Sequence, residues 1–312
     1  MQIIRDYQFA NPNARGASVA IGNFDGVHLG HRAVIDIARD HATDLNCPLG
    51  VMTFEPHPRQ YFAPDTPSFR LMSAETRANR LQKLGVEMLY EINFNDALSS
   101  LSAKDFASIV IKDDLQLKHV VIGKDFQFGK NRDGSAEDLA RFGAEMGFGV
   151  TIADLVEVGD GEVSSTAVRD ALTDGRPQDA AKMLGHMHRI DGEVIRGEQR
   201  GRLLGFPTAN MSISGLHPPK FGVYAVKIDV LSGPFTGSYN GAASMGVRPM
   251  FDGDIPNLET HILDFEGDIY GVHVSVALVE YLRPEAKFDS LDALITQMTA
   301  DCEQARGILE NV

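Results

Sequence analysis

The chain has 312 residues, an apolar fraction of 43% and a formal net charge of −14. That length suits two domains, and the acidic balance argues against general binding to nucleic acid, which rests on neutralising phosphates. No apolar run approaches the roughly 20 residues that span a bilayer, and the opening Met-Gln-Ile-Ile-Arg-Asp-Tyr lacks the basic-then-apolar layout of a signal peptide, so no membrane association is expected. Cys47 and Cys302 are the only cysteines. They make neither a disulfide framework nor a metal cluster and point to the reducing cytoplasm.

Val19 to Ile21 read as a short buried strand, Gly22 to Gly26 as a tight turn, and an apolar helical pattern begins near Leu29. A strand, a glycine turn and a helix start make a phosphate site, because the first amides of a helix lack partners and carry partial positive charge. His28 and His31 stand at that helix start, with Gly30 between them to let backbone approach a nucleotide. The spacing His28-x-Gly30-His31 after a strand and glycine turn resembles the signature of the HxGH nucleotidyltransferases. The resemblance implies that both histidines hold nucleotide phosphates and stabilise charge at the α-phosphorus.

Pro48 to Phe54 reads as a second strand, ending in Glu-Pro-His-Pro, so His57 sits on a loop at the strand's C-terminal end, the side where open α/β sheets bind ligands. A helix follows from a Ser73 cap to a Gly85 stop, then a strand over Val86 to Ile92, a helix capped by Ser102 and running to about Lys112, and a strand over His119 to Ile122. The loop Gly123 to Gly129 carries Asp125, Phe126 and Phe128, suited either to a planar ring or to the core. Helix Ala136 to Met146 and strand Val150 to Leu155 complete an alternation that predicts a mostly parallel, Rossmann-like sheet. Ser164, Ser165 and Thr166 can cap a further helix from whose first turn Arg169 projects, able to grip a triphosphate. Two short helices broken at Gly175-Arg176-Pro177 lead to a domain boundary near Gly185, which separates residues 1–185 from 186–312.

From Arg189 the pattern turns β-like, with short alternating runs over Gly222 to Val230, Tyr239 to Gly246, Glu259 to Phe265 and Val272 to Leu282, which predict a small antiparallel barrel. A C-terminal helix, about Ser290 to Leu309, carries Leu291, Leu294, Ile295, Met298, Cys302 and Ala305 as a packing stripe. Gly197, Gly201 and Gly205 make a loop whose amides can approach phosphates. Thr208 and Asn210 alternate onto one face of the next segment, and their hard oxygens suit Mg²⁺. Glu259, partly buried in an apolar strand, is suited to act as general base toward a hydroxyl.

Taken in order, Gly22 to His31, Phe54 to Pro58, Gly123 to Gly129, Ser164 to Arg169, Arg200 to Asn210, Gly222 to Tyr224, Gly246 to Pro249, Leu258 to Phe265 and Gly267 to Gly271 resemble the bacterial bifunctional riboflavin kinase/FAD synthetase family over nearly the whole chain. The resemblance implies two reactions. In the C-terminal barrel Mg-ATP would bind the 197–210 loop, including Gly197, Arg202, Gly205 and Pro207, with Thr208 and Asn210 near the metal, and Glu259 would deprotonate the riboflavin 5′-hydroxyl on its way to FMN. In the N-terminal domain FMN would attack a second ATP to give FAD and pyrophosphate. There His28, His31 and Arg169 would serve the phosphates, Gly22, Asn23, Phe24, Asp25, Gly30, Ser164, Ser165 and Thr166 would shape the ATP site, and Phe54, His57, Pro58, Asp125 and Phe128 would place the flavin. ATP, riboflavin and FMN are the expected partners, with no nucleic acid and a monomer or weak self-association. Met250, Ala167 and Met187-His188 depart from the family pattern, Met250 in the kinase nucleotide pocket.

Overall fold

In a computed structural model of the chain, the apolar runs of the first half become a six-stranded parallel sheet. The structure describes every residue except 9–10, 155–156, 159–160, 198–199 and 251–252, and for 157–158, 161–162, 200, 248–250 and 253–255 it describes the backbone alone. Met250 therefore lies outside the residues whose side chains are described. Two compact units divide the chain: Met1–Thr66 with Ala74–Val163, and Pro67–Ser73 with Ser164–Val312.

The first unit runs β1 (Gln2–Ile4), β2 (Ser18–Ile21), α1 (Leu29–Asp44), β3 (Leu49–Glu55), α2 (Pro58–Phe62), α3 (Ala74–Lys83), β4 (Met88–Asn93), α4 (Asp96–Ser99), α5 (Ala103–Asp105), β5 (His119–Gly123), α6 (Ala136–Met146), β6 (Gly149–Ala153) and the short strands β7 (Glu157–Val158) and β8 (Gly161–Glu162). Its sheet order is β1-β4-β3-β2-β5-β6, every adjacent pair parallel. Successive strands leave β2 in opposite directions, so the C-terminal end of β2 lies at a topological switch point, where the loops diverge and open a crevice. All four residues of β2 are buried, as a central parallel strand covered on both faces requires. α1 turns Ile35, Ala38 and Ala42 inward and packs on β2, β3 and β5.

Two features depart from expectation. The N-terminal Gln2–Ile4, too short to show a period, pairs with β4 as an edge strand. Ser102 caps α5 as foreseen, accepting from the Asp105 amide, but the chain continues as a π-helix over Phe106–Asp114, burying Phe106, Ala107, Val110 and Ile111.

The second unit comprises α7 (Ser165–Thr173), α8 (Pro177–Leu184), β9 (Arg189–Glu193), α9 (Arg200–Leu203), β10 (Ala209–Ser212), β11 (Gly222–Val230), β12 (Gly237–Met250), β13 (Gly253–Ile262), β14 (His273–Arg283) and α10 (Leu291–Leu309). Its six strands are antiparallel in the order β10-β13-β12-β11-β14-β9. A bridge between Ile195 and Asn210 joins the chain after β9 to β10, so the sheet is nearly closed into a barrel. Ile190, Met211, Tyr224, Val226, Met245 and Leu258 belong to its core. The apolar faces of α7 and α8 (Val168, Ala171, Leu172, Ala180, Leu184) cluster with Leu71 and pack within the second compact unit. On α10 the packing stripe is confined to the C-terminal half: Ala305 and Leu309 meet Ala225, Ala242 and Val279, with Cys302 alongside, whereas Leu291 is 57% exposed.

His188, just before β9, is buried, and its backbone oxygen accepts from the Leu278 amide. Burial, and then the nearby His186 and His217, lower its pKa from 6.5 to about 3. The unfolded chain binds this proton more readily, so the stability that His188 contributes is fully present above pH 6.5 and lost as pH falls toward about 3. Urea unfolding of His188→Leu across the same range should therefore show a shallower loss of stability on acidification than the parent chain.

Candidate functional site

The loop between β2 and α1 is built under strain. Phe24 and Val27 have φ of 51° and 45°, in the left-handed region that side chains, and β-branched ones above all, avoid. Both are buried, and Gly26 at φ 88° completes the reversal. Gly22 donates its amide to the Met52 carbonyl, which fastens the loop to β3. Asn23 is exposed, while Asp25 is 3% exposed beside it.

His28 is the N-cap of α1: its Nδ1 accepts from the His31 amide at 3.3 Å. A ring nitrogen that accepts carries no proton, so in neutral His28 the proton lies on Nε2. The His28 and His31 rings stack with centroids 3.6 Å apart at 18°, and Phe24 lies 5.0 Å from His31. A Cβ on Gly30 would stand 3.1 Å from the His28 ring, so the glycine is what lets the imidazole lie against the helix. Burial, and then His28, push the His31 pKa well below the usual histidine value, and its Nδ1 is buried without a hydrogen-bond partner. The two rings at the helix start, His31 held neutral by burial, offer N–H donors to an anion at the switch point.

Beneath this loop lies a group that periodicity did not mark. Arg77 of α3 is 1% exposed, and its Nη2 donates to Glu55 at 3.0 Å and Glu91 at 3.2 Å, while Nη1 reaches the Asn23 carbonyl at 3.5 Å. The same carbonyl accepts from Thr53 Oγ1 at 3.1 Å, and Arg5 donates to the other oxygen of Glu91 at 3.0 Å. One guanidinium thus ties the loop after β2 to the ends of β3 and β4. Three carbons of stem in a helix of mean polarity hide it from a sequence reader; a lone arginine on a charged helix reads as solvated.

The β3 end carries the expected flavin residues. His57 caps α2, its Nδ1 accepting from the Arg59 amide at 3.0 Å, and Pro58 occupies the first helical position. Phe54 is half-buried and packs edge-on against Phe94, which also meets Tyr61 and Phe62; Phe62 is 68% exposed. The open aromatic faces are thus on α2. Of the two placements open to Phe128, planar ring or core, the structure has the core: it is 8% exposed and stacks on Phe126, because Gly129 and Gly134 fold its loop back on α5. Asp125 of the same loop is exposed.

The Ser164 to Arg169 motif is counted in the second unit, not with the histidine pair. Ser164 caps α7 by accepting from the Ala167 amide; Ser165 and Thr166 form its first turn. Arg169 donates to Thr166 Oγ1 at 3.2 Å and to the Phe69 carbonyl at 3.4 Å.

In the barrel, register makes the site. Asn210 and Glu259 are directly opposed in the β10–β13 ladder and so share a face. Asn210 Nδ2 donates to Thr208 Oγ1 at 3.1 Å. A Cβ on Gly197 would fall 2.6 Å from Asn210 Oδ1, so this glycine makes room for the amide. Gly205 takes φ 87°, and the Pro207 carbonyl accepts from His261 at 2.9 Å. Arg202, on the short α9, is exposed. The donor set of Thr208 and Asn210, two hard neutral oxygens beside a glycine cradle, fits a Mg²⁺ that takes its remaining ligands from water and phosphate.

A parallel α/β unit with two histidines at a helix start and a nearly closed antiparallel barrel with its own polar cluster define a two-domain protein with one candidate site in each domain. Residues 10–167 match the FAD synthetase family and residues 184–309 the riboflavin kinase family. The bifunctional riboflavin kinase/FMN adenylyltransferase of Pseudomonas fluorescens is 40% identical over 99% of this chain and 98% of its own, and that of Escherichia coli strain K12 is 37% identical over 98% and 97%. A crystal structure described as a macrolide-efflux protein from Streptococcus pneumoniae shares the fold over 98% of both chains at a TM-score of 0.85 and 34% identity. No described helix is long and apolar enough to cross a membrane. The chain belongs to the bifunctional riboflavin kinase/FMN adenylyltransferase family, with the FAD synthetase domain N-terminal.

Replacing Arg77 by alanine would take from Glu91 its buried partner, leaving it the exposed Arg5, and release the Asn23 carbonyl, a loss of about 3 kcal/mol. Urea unfolding should show that loss, and FAD formation from FMN should fall with it. Gly197→Ala, by contrast, should depress riboflavin phosphorylation and leave FMN adenylylation unchanged in the same preparation.

Proposed function

We propose that the enzyme's two reactions run at the two polar centres described above, each wholly served by its own group of residues. The observation that carries this reading is that each unit presents polar side chains grouped beside a glycine-containing loop, His28 with His31 in one and Thr208 with Asn210 and Glu259 in the other.

In the barrel, ATP lies along the 197–210 loop with riboflavin beside Glu259. The Glu259 carboxylate accepts the proton of the ribityl 5′-hydroxyl, and the oxygen attacks the γ-phosphorus. The bond to the β,γ-bridging oxygen breaks, releasing ADP and leaving FMN. Thr208 and Asn210 would hold Mg²⁺, which when bound neutralises charge on the ATP phosphates. In the α/β unit an oxygen of the FMN phosphate attacks the α-phosphorus of ATP in line, and pyrophosphate leaves. His28 donates from Nε2 and His31 from its neutral ring to the charge that accumulates on the α-phosphate oxygens. The loops after β2 and β3 leave the same edge of the sheet, because the two strands are parallel neighbours and Thr53 bonds to the Asn23 carbonyl. His57, Pro58 and the aromatic faces of Phe54 and Phe62 would receive the isoalloxazine there, with Asp125 at its polar edge. Both cysteines are free thiols, in keeping with a cytoplasmic setting.

The test mixes the purified chain with riboflavin, ATP and Mg²⁺ and separates the three flavins over time. FMN should appear first and convert to FAD. His28→Ala should slow FMN adenylylation by about 10²–10³ while phosphorylation continues. Glu259→Gln should slow phosphorylation by about 10²–10⁴ while supplied FMN is still converted. FAD formed only from supplied FMN would overturn the barrel reading, and loss of both reactions in either variant would overturn the division between centres.

A further inference from the structure

Asn257 lies outside the family motifs quoted for the barrel, yet it occupies the middle of the barrel's polar cluster. It is 5% exposed on β13, on the same face as Glu259, and its register partner on β10 is Ser212, two residues beyond Asn210. Its Nδ2 donates to Asn210 Oδ1 at 3.3 Å and to Glu259 Oε1 at 3.2 Å. Chemistry fixes both amide orientations. The Thr208 carbonyl can only accept, so the Asn210 nitrogen, 3.3 Å away, must face it, which turns Asn210 Oδ1 toward Asn257. The Glu259 carboxylate, when ionised, also only accepts, so Asn257 must present its nitrogen.

We propose that Asn257 is a positioning residue of the kinase centre, aligning the metal-side amide of Asn210 and the carboxylate of Glu259 through one buried NH₂ group. The proposal rests on the roles given above to Asn210 and Glu259. An unclamped asparagine amide turns over easily, and its NH₂ face cannot ligate a cation. With Asn257 in place, one lone pair of Asn210 Oδ1 is engaged and the other is left on the oxygen for the cation. The same donor holds Glu259 in a single rotamer beside its ladder partner, so the base and the metal ligand keep a constant separation between turnovers. Outer-shell partners of this kind are worth about 10–100-fold in metal affinity or activity.

The test uses the full chain with two substitutions, Asn257→Ala and the near-isosteric Asn257→Asp. Riboflavin phosphorylation is followed against Mg²⁺ concentration and pH, Mn²⁺ binding in the presence of ADP is followed by electron paramagnetic resonance, and FMN adenylylation serves as the internal reference. Asn257→Ala should lower kcat for phosphorylation about 10–100-fold and weaken Mn²⁺ binding, with KM for riboflavin and FMN adenylylation unchanged. Asn257→Asp sets a second carboxylate against Glu259; like charges oppose ionisation, so the acid limb of the kinase pH profile should move to higher pH. Wild-type kcat and Mn²⁺ affinity in both variants would overturn the proposal. So would a loss of activity that follows a lowered Tm with the pH profile and Mn²⁺ affinity unmoved, which would make Asn257 a structural residue only. Glu259→Gln separates the two levels: if it phosphorylates riboflavin normally, the base assignment itself fails, whatever Asn257 does.

Discussion

A polar side chain taken out of water is costly unless its hydrogen-bonding groups are occupied, and both centres of this protein are assembled around one that is. In the α/β unit it is Arg77, 1% exposed, whose nitrogens bring together Glu55, Glu91 and the carbonyl of Asn23. In the barrel it is Asn257, which joins Asn210 to Glu259. The partners in each case belong to the loops or strands of the candidate site, so the penalty of leaving the buried group unpaired becomes a penalty on letting that site change shape. Arg77 does retain one unpartnered nitrogen, Nε, a local loss set against two charged contacts.

The two units reach a preorganised site by different backbone routes. A parallel sheet sends every strand end the same way, so its site must be made in loops, and the loop after β2 is held at left-handed φ angles on non-glycine residues. The strain persists because Phe24 and Val27 are both buried and Gly22 is fastened to β3. The barrel makes its site within the ladder itself. There the antiparallel register sets Asn210 against Glu259 with no strained residue at either position, and Gly197 leaves the space that the amide needs. Loop-built geometry brings backbone close to whatever binds there, and ladder-built geometry holds Asn210 and Glu259 at a constant spacing.

Much of the first unit was legible because its signals are local. Gly22 to His31 combines a strand, a turn and a capped helix in one stretch, and His28 caps the helix that its position implied. Ser102 caps its helix for the same reason, as Ser164 does in the second unit. Phe128 could not be placed by such reasoning: an aromatic after a strand faces core or ligand depending on where Gly129 and Gly134 send the loop, and here they send it inward. Nor could the seven residues Pro67–Ser73 be assigned to the second unit, since Leu71 joins α7 and α8 only through contacts distant in the chain.

By itself the sequence determined the two-part architecture, the order of its elements and the residue types at each centre, because periodicity, caps and glycine turns act over a few residues. Only the tertiary structure decided which of those residues meet. Arg77 and Asn257 carry no periodic or motif signal, and their importance arises from burial and from partners up to 54 and 47 residues away. Hydrogen bonds of that span are set by strand register and helix packing, which no local pattern encodes.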